Sequence, residues 1–201
     1  MAAPAMPAEF DPLIDLDGLW TTRLADDYLP DPRFPAAKYE CINGRLIVSP
    51  TEVGANSWGE IKLARLVAPA AEAAGYYVYG TVNLTFHPGK WIQPDVTVLH
   101  SLPETDEEDK WVPAGLCTMA VEFVSPGSRQ QDYVNKPEQC ARGGVAYFMQ
   151  VEIVRRTRHA SVTLLKLVDG GYQAVAAAKA GQRFEAGEPF EMRFDPAELL
   201  P

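Results

Sequence analysis

The chain has 201 residues, enough for one domain with a real core, and 47% hydrophobic with 22% charged residues is the balance of a globular protein. Eighteen basic and 27 acidic side chains give a formal charge of −9, which excludes a protein that coats DNA through sheer positive charge. No apolar run approaches the ~18 residues of a spanning helix, so a membrane span is excluded. The start, MAAPAMPAEF, lacks the basic and apolar regions of a secretory signal. Cys41, Cys117 and Cys140 are odd in number, widely spaced and without a CxxC pair, which argues against a disulfide framework or a zinc ribbon and for a reducing cytoplasm.

Residues 1–17, rich in Ala and Pro, read as a loose segment, and 18–28 as a short amphipathic helix ended by Pro30 and Pro32. In KYECINGRLIVSP, two short apolar-leaning runs flank Asn43-Gly44, a pair that takes φ > 0 at both turn positions, so a hairpin is expected, closed by Pro50. Residues 56–74 read as a helix with Trp58, Ile61, Ala64, Val67 and Ala71 on one face, shortened or kinked by Pro69 and ended by Gly75. YYVYGTVNLTF and WIQPDVTVL each read as a strand, separated by an HPGK turn. The acidic stretch 101–114 reads as an exposed loop.

TMAVEFVS (118–125) is apolar apart from Glu122 and reads as a central, buried strand. After the SPGSRQQ loop, a helix is expected over 132–142 with Asp132 as N-cap and Gly143-Gly144 as its end, then a second buried strand over 145–154. SVTLLKLV, GYQAVAA and PFEMRF read as a meander with Asp169-Gly170-Gly171 as a turn. The order predicts an α/β or α+β fold with a mixed sheet, in which strands 118–125 and 145–153 run parallel.

Nucleotide-loop, GxSxG and HExxH motifs are absent, and His87, His100 and His159 lack ligand spacing. Attention falls on acids in apolar strands. Glu122 lies inside AVEFVS, where a carboxylate is seldom buried unless paired or metal-bound, although an edge position or an arginine partner is the bland alternative. Asp95 follows Pro94 in a strand of β-branched residues, a pattern that also marks a bend. Lys136 lies four residues after Asp132, the spacing of an ordinary surface ion pair. Together, an aspartate, a glutamate on a neighbouring strand and a lysine on the next helix can hold a hard divalent cation against a phosphate. Residues 129–166 hold seven bases (Arg129, Lys136, Arg142, Arg155, Arg156, Arg158, Lys166) against three acids, a candidate positive face in an acidic chain.

The stretches YECINGRLIVSP (39–50), IQPDVTVL (92–99) and VEFVSPGSRQQDYVNKPEQCARGGVAYFMQVE (121–152) resemble the Uma-two family of endonucleases, within the restriction-endonuclease-like PD-(D/E)XK superfamily. The resemblance covers about 38–200. It implies a restriction-endonuclease-like domain over 38–201, a mixed sheet flanked by helices with a C-terminal antiparallel extension, after an N-terminal segment of 1–37. It also implies Asp95 and Glu122 as metal ligands with the carbonyl of Phe123, Mg²⁺ or Mn²⁺ as cofactor, and Lys136 as the catalytic lysine, displaced from position 124, which here is Val124. Glu40 matches an acidic position and is either an outer ligand or a hairpin residue. Asn56 stands where the family often has His, and Phe148-Met149 where it has Tyr-Trp. The implied function is Mg²⁺-dependent hydrolysis of nucleic acid, DNA first, in the cytoplasm and without membrane association. The main alternative is a catalytically inactive binding or regulatory module, including a homo-oligomer, in which the same residues form an ion network. Hydrolysis of a small phosphate ester is a third reading.

Overall fold

The computed structural model of the chain describes residues 10–30, 32, 34, 37–49, 54–125 and 127–201. Pro50, Pro126 and most of the Ala/Pro-rich start lie outside these residues. The segment expected to be loose contains a short helix, α1 (Pro12–Asp15), because Asp11 caps it, accepting from the Leu13 N–H, and Pro12 fits its first turn. α2 spans Thr22–Tyr28, later than the expected start at 18, because the Thr21 side chain caps it by accepting from Leu24.

The hairpin forms as expected: β1 (Lys38–Ile42) pairs antiparallel with β2 (Arg45–Ser49), and Asn43 and Gly44 both have positive φ, 52° and 80°. Gly44 has a second constraint, since a Cβ there would collide with the Gly18 carbonyl. α3 runs unbroken over Gly54–Ala73, through Pro69. Its buried face is Asn56, Gly59, Leu63, Val67 and Ala71, while Trp58 and Ile61, expected inside, are 49% and 61% exposed.

The expected strand 76–86 is two strands, β3 (Tyr77–Tyr79) and β4 (Asn83–His87), in different sheets. The expected strand 91–99 also divides, into β5 (Lys90–Ile92) and β6 (Val96–Leu99), because Pro94, without an N–H, cannot continue a ladder. The acidic stretch is not all loop: Thr105 caps α4 (Asp106–Lys110), and β7 (Trp111–Pro113) follows. β8 (Cys117–Val124) is buried along its whole length, as expected of a central strand. A π-helical turn over Gln131–Asn135 leads into α5 (Lys136–Arg142), then come β9 (Tyr147–Val154), β10 (His159–Val168), β11 (Gly171–Lys179), β12 (Phe184–Ala186) and β13 (Met192–Phe194). Asp132 is no N-cap: it lies in the π turn and is buried.

One sheet has the order β2-β1-β5-β4-β7, a second the order β11-β10-β9-β8-β6-β3, and β12-β13 form a ribbon. β8 and β9 are parallel, joined through α5, whereas β6 runs antiparallel to β8. This is a mixed α/β fold of restriction-endonuclease-like topology, extended by C-terminal strands. The alternation of β8 decides what each face holds. Met119, Val121 and Phe123 join Leu63 and Val67 of α3 in the main core. Ala120 turns the other way, into a second core with Cys140 of α5, Phe148 and Leu84. By the same period, Glu122 points to the α5 side. Trp20 and Ala25 of the N-terminal part pack with Cys41, Trp91 and Trp111. Among the described residues, no helix is long and apolar enough to cross a membrane.

Candidate metal and phosphate site

Four candidates from distant parts of the chain, Glu40, Asp95, Glu122 and Lys136, line one cavity of about 480 Å³, together with Lys38, Asn56, Phe123, Ser128 and Asp132. The register explains the meeting of the two central acids. Val96 pairs with Val121, and the Asp95 N–H donates to the Val121 carbonyl at 3.0 Å, so Asp95 lies opposite Glu122 one step beyond the last ladder pair. Side chains in such positions start ~4.5–5.5 Å apart at Cβ and share a face. Asp95 Oδ2 accepts from the Phe123 N–H at 2.6 Å, and its Oδ1 takes the ammonium of Lys38.

Lys136 comes from the helix behind. Its Nζ lies 3.0 Å from Glu122 Oε2, 3.1 Å from Glu40 Oε1 and 3.4 Å from Asp132 Oδ1, the last an ion-pair contact without hydrogen-bond geometry. The Asp132–Lys136 spacing, read as a surface pair, is therefore buried on both partners. Glu40 Oε1 also accepts from the Gln93 N–H at 2.8 Å, tying β1 to the break between β5 and β6.

Burial pushes the Glu122 carboxyl well above the usual carboxylate range; Lys136 pulls it back, and Asp95, Glu40 and Asp132 add to the rise. Burial opposes the charge on Lys136, but Glu122, Glu40 and Asp132 outweigh it and raise its pKa above the ordinary lysine value. Four carboxylates against two ammoniums leave two negative charges when all are ionised.

A divalent cation fits the donor set chemically. The oxygens of Asp95 and Glu122 are hard ligands, and Glu122 Oε1 is buried without a hydrogen-bond partner. The Phe123 carbonyl, the third expected ligand, accepts from Asn56 Nδ2 at 3.3 Å. Among the described residues no three His, Cys, Asp or Glu side chains form a preformed metal cage, since the lysines stand between the acids.

Sequence reasoning did not single out Lys38, whose role is visible only through its contact with Asp95, and it treated Asp132 as a cap. Alternation offered one signal for Lys38, since it shares a β1 face with Glu40. The three histidines lie elsewhere: His87 accepts from the Gly89 N–H, His100 meets Thr118, and His159 Nε2 is 4.0 Å from Glu152. The expected positive face is reduced by internal pairs, because Arg129 binds Glu152 at 2.9 Å, Arg142 binds Glu138 at 2.5 Å and Lys166 binds Glu188.

No curated protein matches the chain. Among solved structures it is similar to one titled "Crystal structure of a putative nuclease belonging to DUF820", from Anabaena variabilis. The identity is 15%, over 87% of this chain and 95% of that one, with a TM-score of 0.61, a likeness of fold. A family model described as "Putative restriction endonuclease" matches residues 25–197, and with most of its length matched the chain belongs to that family, Uma2, within the PD-(D/E)XK-like nuclease superfamily.

Proposed function

We infer that the protein is a Mg²⁺- or Mn²⁺-dependent endonuclease that hydrolyses phosphodiester bonds of nucleic acid, DNA first, in the cytoplasm. The observation that carries this reading is the convergence of Asp95 and Glu122 on one face of neighbouring strands, with the Lys136 ammonium 3.0 Å from Glu122. Asp95, Glu122 and the Phe123 carbonyl are the proposed ligands, and Glu40 and Lys136 complete the catalytic group. When bound, the cation supplies Lewis acidity, lowering the pKa of an attacking water and offsetting phosphate charge. The chain's own residues do the rest. Lys38 pairs with the Asp95 carboxylate and, being partly exposed, reaches it from the solvent side of the cavity. Glu40 steadies the Lys136 ammonium, leaving it free of rotation as it faces a phosphate oxygen or orients the water. Asn56 fixes the Phe123 carbonyl from behind.

A second reading, a nuclease-fold binding module with a structural ion network, draws on the lysines already seated on Asp95 and Glu122. The two are separated by titrating wild type and Glu122→Gln with Mn²⁺ in a calorimeter, and by incubating each with supercoiled plasmid and a labelled single strand. The nuclease reading expects binding and cleavage by wild type only. Wild type that neither binds the cation nor cuts, or cleavage that persists in an Asp95→Asn/Glu122→Gln double variant, overturns it.

A further inference from the structure

We propose that the β9–β10 turn, carrying Arg155, Arg156 and Arg158, is a docking tip for the phosphate backbone of nucleic acid; this rests on the nucleic-acid reading above and adds where the polymer is held. Of the seven bases between 129 and 166, Arg129, Lys136, Arg142 and Lys166 are bound to acids. The remaining three are all exposed, all in one turn, and make no ion pair among the described residues. In a chain of net charge −9, this one turn thus carries three exposed arginines within four residues, none of them offset by an ion pair among the described residues.

The turn is ordered rather than a loose tip. Arg155–Thr157 form a 3-10 turn, the Arg158 N–H donates to the Arg155 carbonyl at 3.1 Å, and Thr157 Oγ1 donates to the Val154 carbonyl at 3.3 Å. Arg158 adopts a left-handed conformation, φ 49° and ψ 34°, where glycine or asparagine is at ease and a long L side chain is strained. Arg158 therefore stands at the one position of the turn where the backbone least favours a long side chain. Guanidinium groups also suit phosphate better than ammonium groups, through paired N–H donors.

The placement suits a polymer running from the site. Gln150 lies beside Glu122 in the sheet, and β9 then continues to the turn. Five residues from Gln150 to Arg155 span ~17 Å at ~3.3 Å each. That reach is about five steps of one strand at ~3.4 Å per step. A substrate phosphate in the cavity and a second contact at the turn would thus fall on one short stretch of nucleic acid.

The test compares the R155A/R156A/R158A variant with wild type, both in a Glu122→Gln background without divalent cations. Binding to a short fluorescein-labelled duplex is followed by anisotropy as salt rises. Three lost phosphate contacts lower the logarithmic salt slope by about 2.7, so the drop in affinity between 50 and 200 mM salt shrinks roughly 40-fold. Arg158→Gly, which relieves the backbone and keeps the fold, is expected to lower the slope by about 0.9 alone. An unchanged slope in the triple variant overturns the assignment, as does a wild type that binds anionic phosphatidylglycerol vesicles through these arginines and not the duplex. Arginine-dependent duplex binding in a protein that never cleaves with Mn²⁺ keeps the docking tip and removes only the nuclease chemistry.

Discussion

Replacing Lys136 by Met keeps the aliphatic stem and removes the charge that three buried carboxylates share. The ammonium lies 3.0–3.4 Å from Glu122, Glu40 and Asp132, all almost fully buried. At an effective dielectric of about 20, each contact is worth roughly 5 kcal/mol of attraction before desolvation is subtracted. Most of that sum is offset by the cost of burying the charges. Removing one partner nevertheless leaves the others uncompensated, and the net loss expected is about 3–5 kcal/mol at pH 7. The pH dependence has a defined sign. Glu122 already has a folded pKa above its ordinary value, so its favourable contribution is complete below about pH 4.5 and is lost as pH rises through the folded pKa. Without Lys136 the opposition to that rise disappears, so the destabilisation grows with pH from about 4.5 upward and is smallest in acid. Urea unfolding of both proteins in EDTA, at several pH values, measures this. A loss below about 1 kcal/mol at pH 7, or one that is flat with pH, would refute a shared buried ammonium.

Cation binding requires the ionised Glu122, so Mn²⁺ affinity is expected to rise with pH and binding to release a proton, read by calorimetry in two buffers of different ionisation enthalpy. Lys136→Ala, assayed where it remains folded, is expected to bind Mn²⁺ yet cleave about 10²–10⁴-fold more slowly. Gly59→Ala is expected to cost about 1–3 kcal/mol in urea unfolding, because a Cβ there meets Ile153 and the Phe123 ring, and an unchanged midpoint would show that α3 moves freely on β8.

The elements legible in the sequence were those whose local chemistry admits one answer. Asn43-Gly44 dictates a tight hairpin, and the run around Glu122 is too apolar for anything but a covered strand. The helical face of α3 was misread for a physical reason. Trp58, Ile61, Ala64, Val67 and Ala71 form a plausible stripe, but so do Asn56, Gly59, Leu63, Val67 and Ala71, and both end on the same two residues. The second stripe is buried because Asn56 bonds the Phe123 carbonyl and Gly59 lets Phe123 and Ile153 approach, demands that hydrophobicity does not register. Likewise, periodicity cannot say which sheet a strand joins, so the divisions at 80–82 and 93–95 went unseen. The pairing of Lys38 with Asp95 spans 57 positions, and no local pattern announces it.

The lysine's position follows from the irregular helix before it. Pro137 has no N–H to give the Tyr133 carbonyl, and here, unlike at Pro69 within α3, the regular helix gives way. The chain answers with a π turn, in which the Lys136 N–H reaches back five residues to the Gln131 carbonyl. Asp132 and Lys136, four residues apart, both face inward, toward a strand whose own position 124 is valine. Val124 shares the face of Glu122 by alternation, so a lysine there would approach the acid from within the strand, whereas Lys136 approaches from the helix above it. The two routes deliver one ammonium to one carboxylate. They differ in what else the ammonium touches, because only the helix route encloses it among Glu40, Glu122 and Asp132. A lysine so enclosed anchors the fold, apart from its proposed part in the chemistry. Loss of rate in Lys136→Ala must therefore be read beside its loss of stability, and Glu122→Gln, which keeps the shape of the site, is the cleaner test of the metal.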